Sequence, residues 1–129
     1  MRKDSYSNVA VVASLAPAVQ AATLKGQTVD TKGFATALLI VNTGAIVSAG
    51  DYVVTMQHSD TNVDGDFVDV SAADRIGALP GTLVANVVYR QAYIGKRRFL
   101  RANITKTGGT SIAAGAVFVL GTPALAPVA

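Results

Sequence analysis

Apolar residues recur along this chain in runs of strand length, separated by glycine, asparagine, aspartate and serine. Tyr52 to His58 alternates, with Val53, Thr55 and Gln57 on one side and Tyr52, Val54, Met56 and His58 on the other. Successive side chains of a strand point to opposite faces, so this pattern marks a strand with one face buried. Thr82 to Arg90 alternates too: Leu83, Ala85, Val87 and Tyr89 face one way, and Thr82, Val84, Asn86, Val88 and Arg90 the other. Arg97 to Thr105 repeats the pattern, with Leu100, Ala102 and Ile104 inward and Arg97, Phe99, Arg101, Asn103 and Thr105 outward. The turn Tyr93-Ile94-Gly95-Lys96 joins these two runs. The pattern over Thr82–Ile104 therefore predicts a hairpin-like unit with core residues on one face and a basic, aromatic surface on the other.

One run breaks the alternation. Phe34 to Val41 is apolar at almost every position and stops at Asn42-Thr43-Gly44. A run this short, ended by turn residues, reads as a strand covered on both faces in preference to a helix. Ser111 to Leu120 predicts the last strand, and its apolar stretch Ile112–Leu120 is far short of the eighteen or so residues a membrane span requires. Shorter strands are expected at Val9–Ala13, Gln27–Thr31 and Asp66–Val70, with one helical turn or a loop over Ala72–Leu79. About eight strands with turn signals between them, and no long helical pattern, predict an all-β sandwich or barrel. The expected organisation is an N-terminal arm over 1–27, one β domain over 28–121 and a Pro/Ala-rich tail over 122–129.

Composition agrees with this. The 129 residues suit one domain, and their hydrophobic half is mostly Ala and Val, with only four Tyr, four Phe and no Trp. There is no cysteine, which excludes disulfide frameworks and thiolate chemistry. The N-terminus imitates a secretory signal, with Arg2 and Lys3 before the apolar Val9–Leu15, but Asp4 and Pro17 interrupt the pattern. Charge is unevenly placed: residues 1–74 carry four basic and eight acidic groups, whereas 75–129 carry seven basic groups and no acid. Such polarity suits complementary faces between neighbouring subunits, a nucleic-acid contact, or two solvated faces.

Candidate chemistry is sparse. All eight acids are Asp, and His58 is the only histidine, so an enzyme would have to be built from Asp, Lys, Tyr or Ser. No catalytic residue and no cofactor is assigned. The loop Asp60-Thr61-Asn62-Val63-Asp64-Gly65-Asp66 fits the opening of a calcium loop, with Asp60, Asn62, Asp64 and Asp66 as weak candidate ligands. The match ends at Ser71, where the bidentate Glu should stand, and turn geometry alone explains an Asp/Asn/Gly loop. The remaining candidate is the basic block. Tyr93, Lys96, Arg97, Arg98, Phe99 and Arg101 combine the residue types that anchor protein interfaces, which ranks ahead of a solvated face, with nucleic acid last.

The segments FATALLIVNTG, VVTMQHSDTNVDGDFVDV, VVYRQAYIGKRRFLRANIT and VFVLG resemble the jelly-roll decoration, or cement, proteins of podovirus-type bacteriophages. The resemblance covers roughly residues 28–122 and rests on strand order and the Y-I-G-x-x-R-x-L-R block. It implies a jelly-roll-like β-sandwich of antiparallel strands with an extended N-terminal arm. It also implies a non-catalytic virion protein that assembles in the host cytoplasm, binds the capsid exterior and clamps neighbouring major capsid subunits, often as a dimer or trimer. It brings no membrane association. A neck or tail component of the same particle, a nucleic-acid-binding β module and a calcium-stabilised lectin-like sandwich are the alternatives.

Overall fold

The computed structural model describes Asp4 and residues 6–123. Among the described residues ten strands form, with only short 3-10 turns as helical elements: β1 (Ala10–Gln20), β2 (Leu24–Lys25), β3 (Val29–Asp30), β4 (Phe34–Val47), β5 (Asp51–Ser59), β6 (Val68–Asp69), β7 (Arg75–Ile76), β8 (Val88–Tyr93), β9 (Phe99–Gly108) and β10 (Ser111–Pro123). They pair antiparallel into two sheets, ordered β1-β10-β4-β8-β7 and β2-β9-β5-β6, with β3 beside β2 along β9.

The order has a simple logic. β2 and β3 act as one interrupted strand, and β7 is a two-residue addition at the edge. The first strand then pairs with the last, the second with the second-last, the third with the third-last, and the middle two with each other. An antiparallel ribbon rolled in this way is a jelly roll. The fold expected from strand count and from the resemblance is the fold observed.

The core lies between the sheets. Leu39, Val41, Phe118, Leu120 and Ile112 of the first sheet meet Tyr52, Val54, Met56, Leu100 and Ile104 of the second. Two side-chain ties cross this apolar layer. The Ser14 hydroxyl, on β1, donates to the Gln27 carbonyl at 2.9 Å and accepts the Ala102 N–H of β9 at 3.0 Å. Tyr93 of β8 meets His58 of β5 at 2.8 Å. Every buried side-chain nitrogen and oxygen among the described residues has a partner, as a dry interior requires.

Three expectations change. Ala10–Gln20, inside the expected arm, is a full edge strand registered along β10 from Ala10↔Leu120 to Gln20↔Ile112. Register shifts on both sides of Leu15 and the proline at 17 interrupt its free edge, which guards it against pairing with another chain's edge. Thr82–Val87 keeps the expected alternation of burial but forms no ladder. Asn86 takes φ 57°, which ends an extended run, and Leu83 instead donates its N–H to the Tyr52 carbonyl of the opposite sheet. The hairpin over Thr82–Ile104 does not exist, because β8 and β9 lie in different sheets and the turn after Tyr93 crosses the sandwich. Residues 124–129 of the expected tail lie outside the described residues.

Candidate interaction surfaces

The two sheets present opposite chemistry on their outer faces. In the second sheet the central outward positions of β5 and β9 are Thr55, Gln57, Arg101 and Asn103, paired as Thr55↔Asn103 and Gln57↔Arg101, with Val53↔Thr105 and Ser59↔Phe99 at either end. Gln57 Oε1 accepts from Arg101 Nε at 2.9 Å and from Asn103 Nδ2 at 2.8 Å, while Gln57 Nε2 donates to Asp69 at 2.9 Å. The Arg101 guanidinium also donates to Asp64 and stacks 4.2 Å from the Phe67 ring centre. Lys25 reaches the same Asp64 carboxylate at 2.9 Å. Hydrogen bonds from Arg101 first, and from Lys25 next, hold the Asp64 carboxyl below the ordinary carboxylate range. The loop over 60–67 thereby lies across the face and buries Arg101 to 5% exposure.

This arrangement corrects one expectation. Arg101 is outward in register, as the alternation predicts, but it is buried and bound within its own chain. The acidic loop uses its side chains for bonds within the chain. Asp64 pairs with two cations, Asp66 accepts the Thr61 hydroxyl at 2.6 Å, and the described residues contain no group of three His or Asp side chains arranged to hold a metal.

The other members of the basic block scatter. Tyr93 is buried and faces the core. Its hydroxyl accepts the Arg97 N–H at 3.0 Å and shares a 2.8 Å hydrogen bond with His58 Nδ1. The His58 pKa is pushed down, chiefly by burial and then by Arg97, against Asp74 and Asp60, which favours the neutral imidazole. Burial pushes the Tyr93 phenol up. Arg98 is exposed but held by a two-pronged pair to Asp30 at 2.8 and 2.6 Å, and it lies 4.9 Å from the half-buried Phe99 ring. Within the block, Lys96 and Arg97 have no carboxylate partner among the described residues. With Lys32 they line an open cleft of ≈ 320 Å³ over the start of β4. The charge asymmetry of the sequence is thus partly satisfied inside the chain, by Asp30–Arg98 and Asp64–Arg101.

The first sheet is different. Its outward side chains fall in rows: Val11, Val119, Leu38, Ala92 and Ile76, then Ala13, Val117, Ile40 and Arg90, then Gly115, Asn42 and Val88. Val19 and Ala113 add to them at one end. Arg90, near the β8 border, is the one charged residue in these rows. Val11, Val19, Ile76 and Val88 are 61–70% exposed, and Leu38, Ile40, Val117 and Val119 are half-buried. Pro17 sits over Gly115, where an added Cβ would come within 3.1 Å of its Cα. An apolar groove of ≈ 570 Å³ opens between the irregular β1 and Ile40–Gly44 of β4. This surface was not singled out in the sequence. Its signal is the near-continuous apolarity of Phe34–Val41, which predicts cover on both faces although the chain's other sheet covers only one.

No family model and no curated protein matches this sequence. Among solved structures the chain is similar to the SPBc2 prophage-derived protein YomS, with TM-score 0.55 and 10% identity over 88% of this chain and 92% of that one. It is also similar to VP2 in the subviral particle of infectious bursal disease virus, with TM-score 0.53 and 10% identity. That match covers 90% of this chain and 33% of VP2, so the chain spans about a third of that protein. At such identity the likeness is one of fold, a two-sheet antiparallel β-sandwich shared with a prophage-derived and a viral protein.

Proposed function

We propose that this protein is a non-catalytic structural component of a bacteriophage particle, a decoration protein that binds the outside of the head and clamps neighbouring major capsid subunits. The observation that carries the reading is the open apolar face of the first sheet. An exposed contiguous apolar patch rimmed by polar residues marks a contact site, most simply with another protein surface. The jelly roll suits this role, since the fold recurs in viral shells and its function lies on its surfaces. Similarity to a prophage-derived protein and to VP2 supports the viral setting.

The rim formed by Lys32, Lys96 and Arg97 is the contact for the shell. Four cations line this cleft, and three of them, Lys32, Lys96 and Arg97, have no carboxylate partner among the described residues; they favour an acidic protein surface, and a shell repeats that surface many times, so modest contacts sum through avidity. The test is co-sedimentation of the purified chain with assembled, decoration-free shells. We expect saturable binding that weakens with salt and is lost in the double variant Lys96→Glu with Arg97→Glu. Absence of binding at low salt overturns the reading.

A further inference from the structure

The cleft between the start of β4 and the crossing from β8 to β9 has the form of a binding site, and we infer that it takes an acidic, extended peptide segment lying where β8 would have continued. This rests on the reading above and names the kind of chain that the basic rim receives.

The topology opens the site. β8 pairs with β4 only as far as Ala37↔Tyr93, whereas β4 begins at Phe34. Beyond Tyr93 the chain leaves the first sheet and crosses to β9 in the second. The edge of Phe34–Thr36 on that side therefore has no neighbouring strand, and the cleft of ≈ 320 Å³ lies along it. At about 3.3 Å per residue, a guest lying there passes about 10 Å of sheet edge. Laying an extended chain beside an open edge is a recurring way to bind a peptide.

The walls are fixed before a guest arrives. The Thr31 N–H and hydroxyl both donate to the Arg98 carbonyl, at 3.0 and 2.6 Å. Arg98 holds Asp30 with two further bonds, and the Tyr93 hydroxyl accepts the Arg97 N–H at 3.0 Å. Gly95 lies against the Tyr93 ring, where any Cβ would collide with its hydroxyl. A site built this way has little left to order on binding.

Charge selects the guest. Lys32 stands on one wall and Lys96 and Arg97 on the other, and no carboxylate lines the cleft among the described residues. Lysines beside an open edge discourage pairing with ordinary strands, and the same charges attract a segment carrying Asp or Glu. A single-stranded nucleic acid fits less well, because it needs aromatic rings on which to stack its bases. Tyr93 is buried, and half-buried Phe99 already has the Arg98 guanidinium 4.9 Å from its ring centre.

The test is titration of end-blocked hexaglutamate into the purified full chain, followed by calorimetry and by NMR of the backbone amides. We expect saturable binding that weakens with salt, with amide shifts concentrated at 31–37 and 93–98. Lys32→Glu, and separately Lys96→Glu with Arg97→Glu, change opposite walls and should each weaken binding by about tenfold or more. Lys106→Glu makes the same charge change at the far end of β9 and should alter affinity by less than about twofold. The only histidine gives a second readout. Burial first, and Arg97 next, hold the His58 pKa down, so an acidic guest beside Arg97 should raise it.

No saturable binding up to about 1 mM hexaglutamate at low salt overturns the inference. Equal weakening by Lys106→Glu does so too, as does tighter binding of an oligothymidylate of the same charge. Shells that co-sediment with a chain that ignores hexaglutamate leave the decoration reading standing and remove only the acidic segment. Hexaglutamate seated in the cleft of a chain that ignores shells does the reverse.

Discussion

The outer faces of the two sheets answer different demands. On the second sheet, Gln57, Arg101 and Asn103 sit between β5 and β9 and exchange hydrogen bonds with one another and with the 60–67 loop. On the first, Leu38, Ile40, Val117 and Val119 have no polar group to satisfy and are only half-buried within the described chain. A polar residue on a sheet is often taken as the surface and an apolar one as the core. Here the polar face is closed and self-satisfied, and the apolar face is open. What distinguishes a surface built for a partner is therefore not charge but unmet demand. The guanidinium of Arg101 has its acceptors, while the side chains of the first sheet still lack a layer.

The largest expected difference between the faces comes from removing their central residues. Arg101→Ala deletes charge-assisted hydrogen bonds, unstacks Phe67 and leaves Gln57 short of a donor, so stability should fall by about 2–3 kcal/mol. The exposed pairing with Asp64 adds little to that figure. Ile40→Thr on the other face should shift unfolding of the dilute monomer by no more than about 0.5 kcal/mol. Urea denaturation of both variants checks this. Equal losses would mean that the apolar face is part of the folding core.

Next comes the tie that closes the sandwich on the β1 side. Ser14→Ala strips the buried Ala102 N–H of its acceptor and should cost about 1–2 kcal/mol by the same measurement. Gly26 beside it admits no side chain, because a Cβ there would run into the Ala102 carbonyl oxygen and the Ser14 hydroxyl.

How much of this was legible in the sequence depends on what each signal measures. Period-two alternation reports which way a side chain points. It placed Leu83, Leu100, Ala102 and Ile104 inward, and all four are buried. It does not report pairing, which is set by distant strands, so Thr82–Val87 alternates in burial yet has no ladder, and the imagined hairpin is a crossing between sheets. Nor does it report what lies over an outward residue. Arg101 points outward and is buried, because a loop nearly forty residues earlier folds across it. The same blindness hid the apolar face: Phe34–Val41 announced two covered sides, but only the register of β1, β10, β4 and β8 shows which side the chain leaves open.

A smaller effect tests the tie between the sheets on the β8 side. His58 binds a proton less readily in the folded chain than when free, so the unfolded state takes up protons first as pH falls. Its stabilising contribution is complete above the ordinary imidazole pKa of about 6.5 and is lost as pH drops through that value towards the lower folded one. Unfolding midpoints measured between about pH 7.5 and about pH 5 should decline in the natural chain and stay flatter in His58→Gln. An identical slope in the variant would place the titration elsewhere.

The smallest expected effect is at the border of the polar face, where Arg98 grips Asp30 from β3. The Arg98 hydrogen bonds lower the Asp30 pKa to about 2, against the cost of its partial burial. The sign follows from that depression. The contribution is present above the ordinary carboxylate pKa of about 3.9 and is lost as pH falls from there towards about 2. The carboxylate is 43% exposed and the guanidinium 49%, so solvent and salt screen most of the attraction. Asp30→Asn should therefore barely move the urea midpoint at neutral pH, and the difference should vanish in molar salt. A large loss would mean that this pair holds β3 to β9 much as Arg101 holds the loop. The closed face would then extend to the sheet edge, beside the basic rim of Lys32, Lys96 and Arg97.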